Sequence, residues 1–261
     1  MISTLLQYQM VSTNMTRSLD TVASEPTVRR ESEYYLANIG KAKSIDDFLG
    51  DDRLFKYAMK AFGLQDMDYA KAFMRKVLEE GTDDRNSFAN KLADDRYRQF
   101  AETFNFTRYG DAATAFTRAQ QGVVDAYVRQ SLEIQNGESN EGVRLALYFS
   151  RKAETIDSAY DILADRALAQ VVYAALGLPD EFAMADVDKQ AAFIEKRLDL
   201  EDFKDPQAVE AFLKRFTTMW DLAKGPPQAS VPNLILSGSS ATVGVGQDIL
   251  TSLQGLKLGG L

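Results

Sequence analysis

Asp51-Asp-Arg-Leu-Phe-Lys-Tyr-Ala-Met-Lys-Ala-Phe-Gly-Leu64 resembles Asp165-Arg-Ala-Leu-Ala-Gln-Val-Val-Tyr-Ala-Ala-Leu-Gly-Leu178, with the two glycines 114 positions apart. Extended back to Ser44 and Ser158, the alignment has eight identities in 21 positions: the pairs at 44, 47, 49, 51, 54, 61, 63 and 64. Each shared residue has a physical task. Asp51 and Asp165 stand where a helix N-cap must accept bonds from free backbone N–H groups. Leu54, Phe55, Ala58, Met59 and Phe62 recur at helical spacing and make one apolar face, as do Leu168, Ala169, Val172, Tyr173 and Leu176. Gly63 and Gly177 fall where a left-handed residue closes a helix, and Leu64 and Leu178 where an apolar contact folds back onto it.

Further pairs extend the pattern. Tyr34-Tyr35 matches Tyr148-Phe149, Ala72-Phe73 matches Ala192-Phe193, and Tyr97, Phe100 and Phe104 match Leu213, Phe216 and Trp220, with small drifts in offset. The expected fold is all-α: two tandem, diverged copies of a multi-helix unit, residues 1–110 and 111–225, packed as one body. A flexible, Gly/Ser-rich tail follows over residues 226–261. The first unit reads as helices over 2–22, 26–42, 52–62, 66–80 and 85–104, and the second over 112–135, 141–153, 165–176, 186–198 and 206–222. Pro26 and Pro206 suit first helical turns, and Asn136 to Asn140 reads as a tight polar turn. Gly225-Pro-Pro227 marks the sharpest change in composition, since only Asp248 and Lys257 are charged beyond it.

Composition excludes several classes of function. The chain has 261 residues and a net charge of −8, and its basic residues are scattered, which argues against general nucleic-acid binding. It has neither histidine nor cysteine. Disulfides, thiolate or imidazole zinc sites, and Ser-His-Asp or Cys-His nucleophile systems are therefore excluded. No EF-hand loop surrounds Asp46, Asp47, Asp51 and Asp52, which read as caps and solvated carboxylates. Gly244-Val-Gly246 lacks the third glycine and the βαβ setting of a dinucleotide fingerprint, and Gly40-Lys41 lacks the rest of a P-loop. No catalytic residue, metal site or cofactor is expected.

The stretch Ser44–Leu64, continued through Ala72-Phe73 and Lys76-Val77-Leu78, resembles a bacterial family of unknown function whose members often sit near flagellar genes in alphaproteobacteria. The resemblance covers most of residues 1–225 and rests on helix-packing residues. It implies an α-helical fold and a flagellar setting and transfers no catalytic residue.

Two segments are candidates for partner binding. The first 24 residues carry only Arg17 and Asp20 as charges. Their apolar run, including Leu5, Leu6 and Met10, is either an ordinary first helix matching Val123–Ile134 or a surface for a partner chain. In the tail, Ile249, Leu250, Leu253 and Leu256 would share one face of a short helix that either packs on the body or orders on binding. The expectation is a non-enzymatic structural or adaptor protein, acting through contacts with protein partners such as flagellar components, and cytoplasmic or flagellum-associated without a Sec-type signal. The alternative is a stand-alone helical binding or regulatory module with a small-molecule or peptide groove between its halves.

Overall fold

Ser44 accepts a bond from the Asp47 N–H, and the Asp47 carboxylate accepts one from the Ser44 N–H; Ser158 and Asp161 do the same. Each box starts a six-residue helix. Asp51 and Asp165 then cap the next helix, each accepting from the N–H groups two and three residues on. Both helices end on a glycine with positive φ, 70° at Gly63 and 67° at Gly177. The N–H of Leu64 reaches back to the Met59 carbonyl at 2.8 Å, and that of Leu178 to Tyr173 at 2.9 Å, closing Schellman turns.

The computed structural model describes residues 2–224. Their helices are α1 Thr4–Ser12, α2 Met15–Ser24, α3 Pro26–Ile39, α4 Ile45–Gly50, α5 Asp52–Ala61, α6 Lys71–Glu80, α7 Phe88–Lys91 and α8 Asp95–Thr103. They continue as α9 Phe106–Tyr109, α10 Gln121–Ser139, α11 Glu141–Lys152, α12 Ala159–Ala164, α13 Arg166–Leu176, α14 Val187–Arg197 and α15 Pro206–Lys224. Short 3-10 turns link several of them, and no strand occurs among the described residues. The tail residues, Ile249, Leu250, Leu253 and Leu256 among them, lie outside the described residues.

Five expected boundaries change, one of them the start of the helix expected from 112, which begins only at Gln121 behind two 3-10 turns. The first helix breaks at Thr13-Asn14, where Asn14 takes φ −120° and ψ 42°; Thr and Asn lose more than most residues in a helix interior and compete for its backbone bonds. The segment 85–104 divides into α7 and α8 because Asp94 caps a new start by accepting from the Arg96 N–H. The helix after Leu64 starts only at Lys71, behind a 3-10 turn. Asn136-Gly137 is not a turn: α10 runs through it to Ser139, and Asn140 caps α11. Gly137 lies under the Arg144 side chain, whose Cδ would stand 2.7 Å from an added Cβ.

Two apolar cores result, and they do not divide at residue 110. Val123, Val124, Tyr127, Val128 and Leu132 of α10 join the first core, with Phe48, Phe55, Phe100 and Phe104. Tyr8 of α1 joins the second, with Leu147, Phe149, Phe216 and Trp220. Val11 and Met15 touch both. The break at Thr13-Asn14 is what lets one apolar run serve two cores. The aromatic side chains of Tyr35, Tyr97, Phe100, Phe104, Phe106 and Trp220 are buried.

Candidate functional site

Charged groups inside the protein are held by one another. Glu133 of α10, 1% exposed, accepts both arms of the Arg151 guanidinium at 2.8 Å and the Arg129 Nε at 3.1 Å. Arg129 also donates to the Leu147 carbonyl at 3.2 Å. Arg151 lies 5.0 Å from the centre of the Tyr148 ring, and the Tyr148 hydroxyl donates to the Asp165 cap. Arg96 of α8 closes on the Asp94 carboxylate and donates to the Gly63 carbonyl at 2.7 Å, satisfying a helix end that the Schellman turn leaves open. Lys152 donates to the neutral Gln99 Oε1 at 3.2 Å. Burial first, and then the Arg151 charge, lower the Lys152 pKa. This network crosses between the two cores and leaves each of its charged groups hydrogen-bonded, so its geometry is that of a joint.

The outward face of α1 is different. Thr4, 1% exposed, donates from its N–H to Asp221 of α15 at 3.0 Å and from its hydroxyl to the same carboxylate, and accepts from the Asn140 side chain at 2.9 Å. Gly142 makes this approach feasible: an added Cβ would stand 2.5 Å from the Trp220 ring and 2.9 Å from Thr4. One side of α1 is thereby locked onto α11 and α15. Leu6 and Met10, four residues apart on the other side, are 49% and 60% exposed, and Ile2, ahead of the Ser3 cap, is 50% exposed. Leu5 is half-buried. Of the candidate partner residues in the described chain, Leu6 and Met10 thus share the exposed stripe and Leu5 flanks it.

Two clefts border these features. One, of about 420 Å³, lies among α3, α5 and α10 and is lined by Glu31, Arg53, Lys56, Tyr57, Lys60 and Tyr127. Tyr57 stacks between Tyr35 and Tyr127, with centroids 4.5 and 3.9 Å away. Arg53 is held by Glu31 at 2.8 Å. The other, of about 260 Å³, opens at the C-terminal end of α1 against α11 and the start of α15. Among the described residues no group of carboxylates is placed to hold a metal ion, and no helix is long and apolar enough to cross a membrane.

The sequence pointed to neither the Glu133 network nor the Thr4 lock. Arg129 and Glu133 stand four residues apart, a spacing that also describes an ordinary solvated helix pair; what buries this one is α11, supplied by the fold.

Comparison with known proteins agrees with an all-helical chain. The family described as "Protein of unknown function (DUF1217)" matches residues 61–209. The X-ray crystal structure of a protein from Agrobacterium tumefaciens, a structural-genomics target, is similar at 51% identity and a TM-score of 0.80, covering 87% of this chain and 98% of that one. No curated protein matches.

Proposed function

The chain belongs to the DUF1217 family of proteins of unknown function, and from that premise we propose that it is a non-enzymatic structural or adaptor protein of the flagellar apparatus, acting through protein–protein contacts. The observation that carries the contact role is the pair Leu6 and Met10, about half or more exposed on a helix whose opposite side is locked in place, with the exposed Ile2 just ahead of it. A rigidly held apolar stripe exposes surface that gains free energy on being covered, at about 25 cal/mol per Å². The flagellar setting rests on the resemblance of Ser44–Leu78 to a family found near flagellar genes. In this reading the chain is two diverged copies of one helical unit with a tail that serves assembly, and it is cytoplasmic or flagellum-associated.

Deletion of the gene tests the reading. Swimming in soft agar should be lost or reduced, with altered filaments by electron microscopy. Wild-type protein should restore it, and the Leu6→Asp/Met10→Asp variant should not. Normal flagella and swimming in the deletion strain would remove the flagellar role. A second reading, a module with a ligand groove between its halves, is favoured by the cleft beside Tyr57 and Tyr127; normal motility together with a ligand-induced rise in Tm, abolished by Lys60→Glu, would select it.

A further inference from the structure

One residue separates α1 from α2. Thr13 keeps helical angles, φ −63° and ψ −29°, and its N–H bonds to the Gln9 carbonyl at 3.0 Å. On the other side the Ser18 N–H bonds to the Asn14 carbonyl at 2.9 Å. Asn14 alone departs from the helix, with φ −120° and ψ 42°, and its side chain makes no capping bond to α2. Thr13 and Asn14 are both exposed. One side-chain bond crosses the break, from the Ser18 hydroxyl to the Val11 carbonyl at 3.4 Å.

The apolar pattern runs through this break without a change of phase. At about 100° per residue, Leu5, Tyr8, Val11, Met15, Leu19 and Val22 would fall within an arc of about 120° on one straight helix, with Leu6 and Met10 opposite. Turning Asn14 to helical angles would join residues 4–24 into one helix. The N–H groups of residues 14–17 would then gain the carbonyls of residues 10–13.

Such a helix fits its own body at one end only. α2 packs on α3 and α10, whereas α1 is seated on α11 and bonded to α15. With α2 held, straightening lifts Thr4 from Asp221 and Asn140, and Tyr8 from the second core. The seat left behind is specific. It has a carboxylate for the Thr4 N–H and hydroxyl, an amide donor from Asn140, a gap at Gly142 that admits Thr4, and an apolar socket for a tyrosine. α1 of a second copy matches all four. The bonds that hold α1 join residues 136 and 217 positions apart, so nothing local in the chain decides which copy supplies each side.

We propose that α1 is exchanged between two copies of this chain: α1 and α2 join into one helix, and the α1 of each copy takes the seat on α11 and α15 of the other. Exchange reaches a two-fold dimer easily because the seat makes the same contacts in monomer and dimer. It goes beyond the contact role above, since Leu6 and Met10 face away from the seat in both states and the dimer presents that face twice.

Size-exclusion chromatography with light scattering on the full chain tests it. A dimer should form on concentration and persist after dilution, because separation requires both seats to open. Asn14→Ala favours the helix by roughly threefold at each hinge, so the dimerisation constant should rise roughly tenfold over the two hinges; Asn14→Gly should lower it roughly threefold. The native chain has no cysteine, so Thr4→Cys/Asp221→Cys reports which copy is seated. The oxidised dimer should run as a covalent dimer on a non-reducing denaturing gel, and the oxidised monomer as a single chain. If that double variant fails to fold, the two Asn14 variants decide. A disulfide closed within single chains of the isolated dimer would overturn the proposal. So would a monomer at every concentration for both the native chain and Asn14→Ala, or a dimerisation constant that neither Asn14 variant changes. Loss of motility on gene deletion with a monomer throughout would leave the contact role standing and remove the exchange; an exchanged dimer with normal motility would remove the flagellar role and leave the exchange.

Discussion

Residues 34–64 and 148–178 make the same bonds in different surroundings. Tyr34 donates to Asp51 at 2.8 Å and Tyr148 to Asp165, each across 17 residues. The two Ser boxes, Asp caps and Gly stops repeat as well. Around Tyr34 the guanidinium comes from Arg53, in the first turn of α5, and its partner is Glu31, on the same surface. Around Tyr148 it comes from Arg151 of α11 itself, and its partner is the buried Glu133. The bond to Asp51 is the main cause raising the Tyr34 pKa, while burial leads at Tyr148 and pushes it well above the usual range. Helix ends are thus fixed by side chains a few residues away, whereas the solvation of those same side chains is decided by whichever distant helix arrives to cover them. In this chain α10 covers the second region from one side and packs into the first core from the other.

The strongest way to break this comparison is to cut the joint. Glu133→Ala leaves two guanidinium groups facing each other without their carboxylate and should cost about 3 kcal/mol. Urea melts followed by circular dichroism would measure it; a loss below about 1 kcal/mol would mean that the pairing contributes little to holding the cores together. Gly142→Ala acts on one side only. Its methyl meets Trp220 and Thr4, so overpacking should cost about 2 kcal/mol. Trp220 is the one tryptophan, and its fluorescence should report this change directly.

Gly63→Val and Gly177→Val probe what the two regions share. A β-branched residue is strained at positive φ, and each should destabilise by more than about 1 kcal/mol. Similar costs at both sites in urea melts would support locally fixed ends; a cost at one alone would show that surroundings dominate there too. The smallest effect separates the regions again. Tyr148→Phe should cost about 1 kcal/mol and Tyr34→Phe less, because burial dominates at the Tyr148 hydroxyl whereas the bond to Asp51 dominates at Tyr34. Equal losses in paired melts would erase the distinction.

Helix content and helix ends were legible in the sequence because their chemistry is local. Ser44, Asp51 and Gly63 act within a turn of where they stand, as do Ser158, Asp165 and Gly177. Breaks at Thr13-Asn14 and before Asp94 were not, since a weak helix former is tolerated when packing favours continuation and exploited when it does not. The allocation of α1 to one core and α10 to the other was also hidden, because apolar periodicity states that a face is buried and not against what. For the same reason the sequence singled out Leu5, Leu6 and Met10 together, while the structure distinguishes the half-buried Leu5 from its exposed neighbours.

The bond from Thr4 to Asp221 spans 217 positions. During synthesis the first helix emerges from the ribosome long before the residues that will hold it. At ordinary translation speeds of 5–20 residues per second, the wait is roughly 10–40 s. Over that interval Leu5, Leu6, Tyr8 and Met10 form an uncharged apolar segment with no finished surface to rest on, available to chaperones or to neighbouring nascent chains. Yield in the cell should therefore depend on what shelters the first dozen residues while the rest is made.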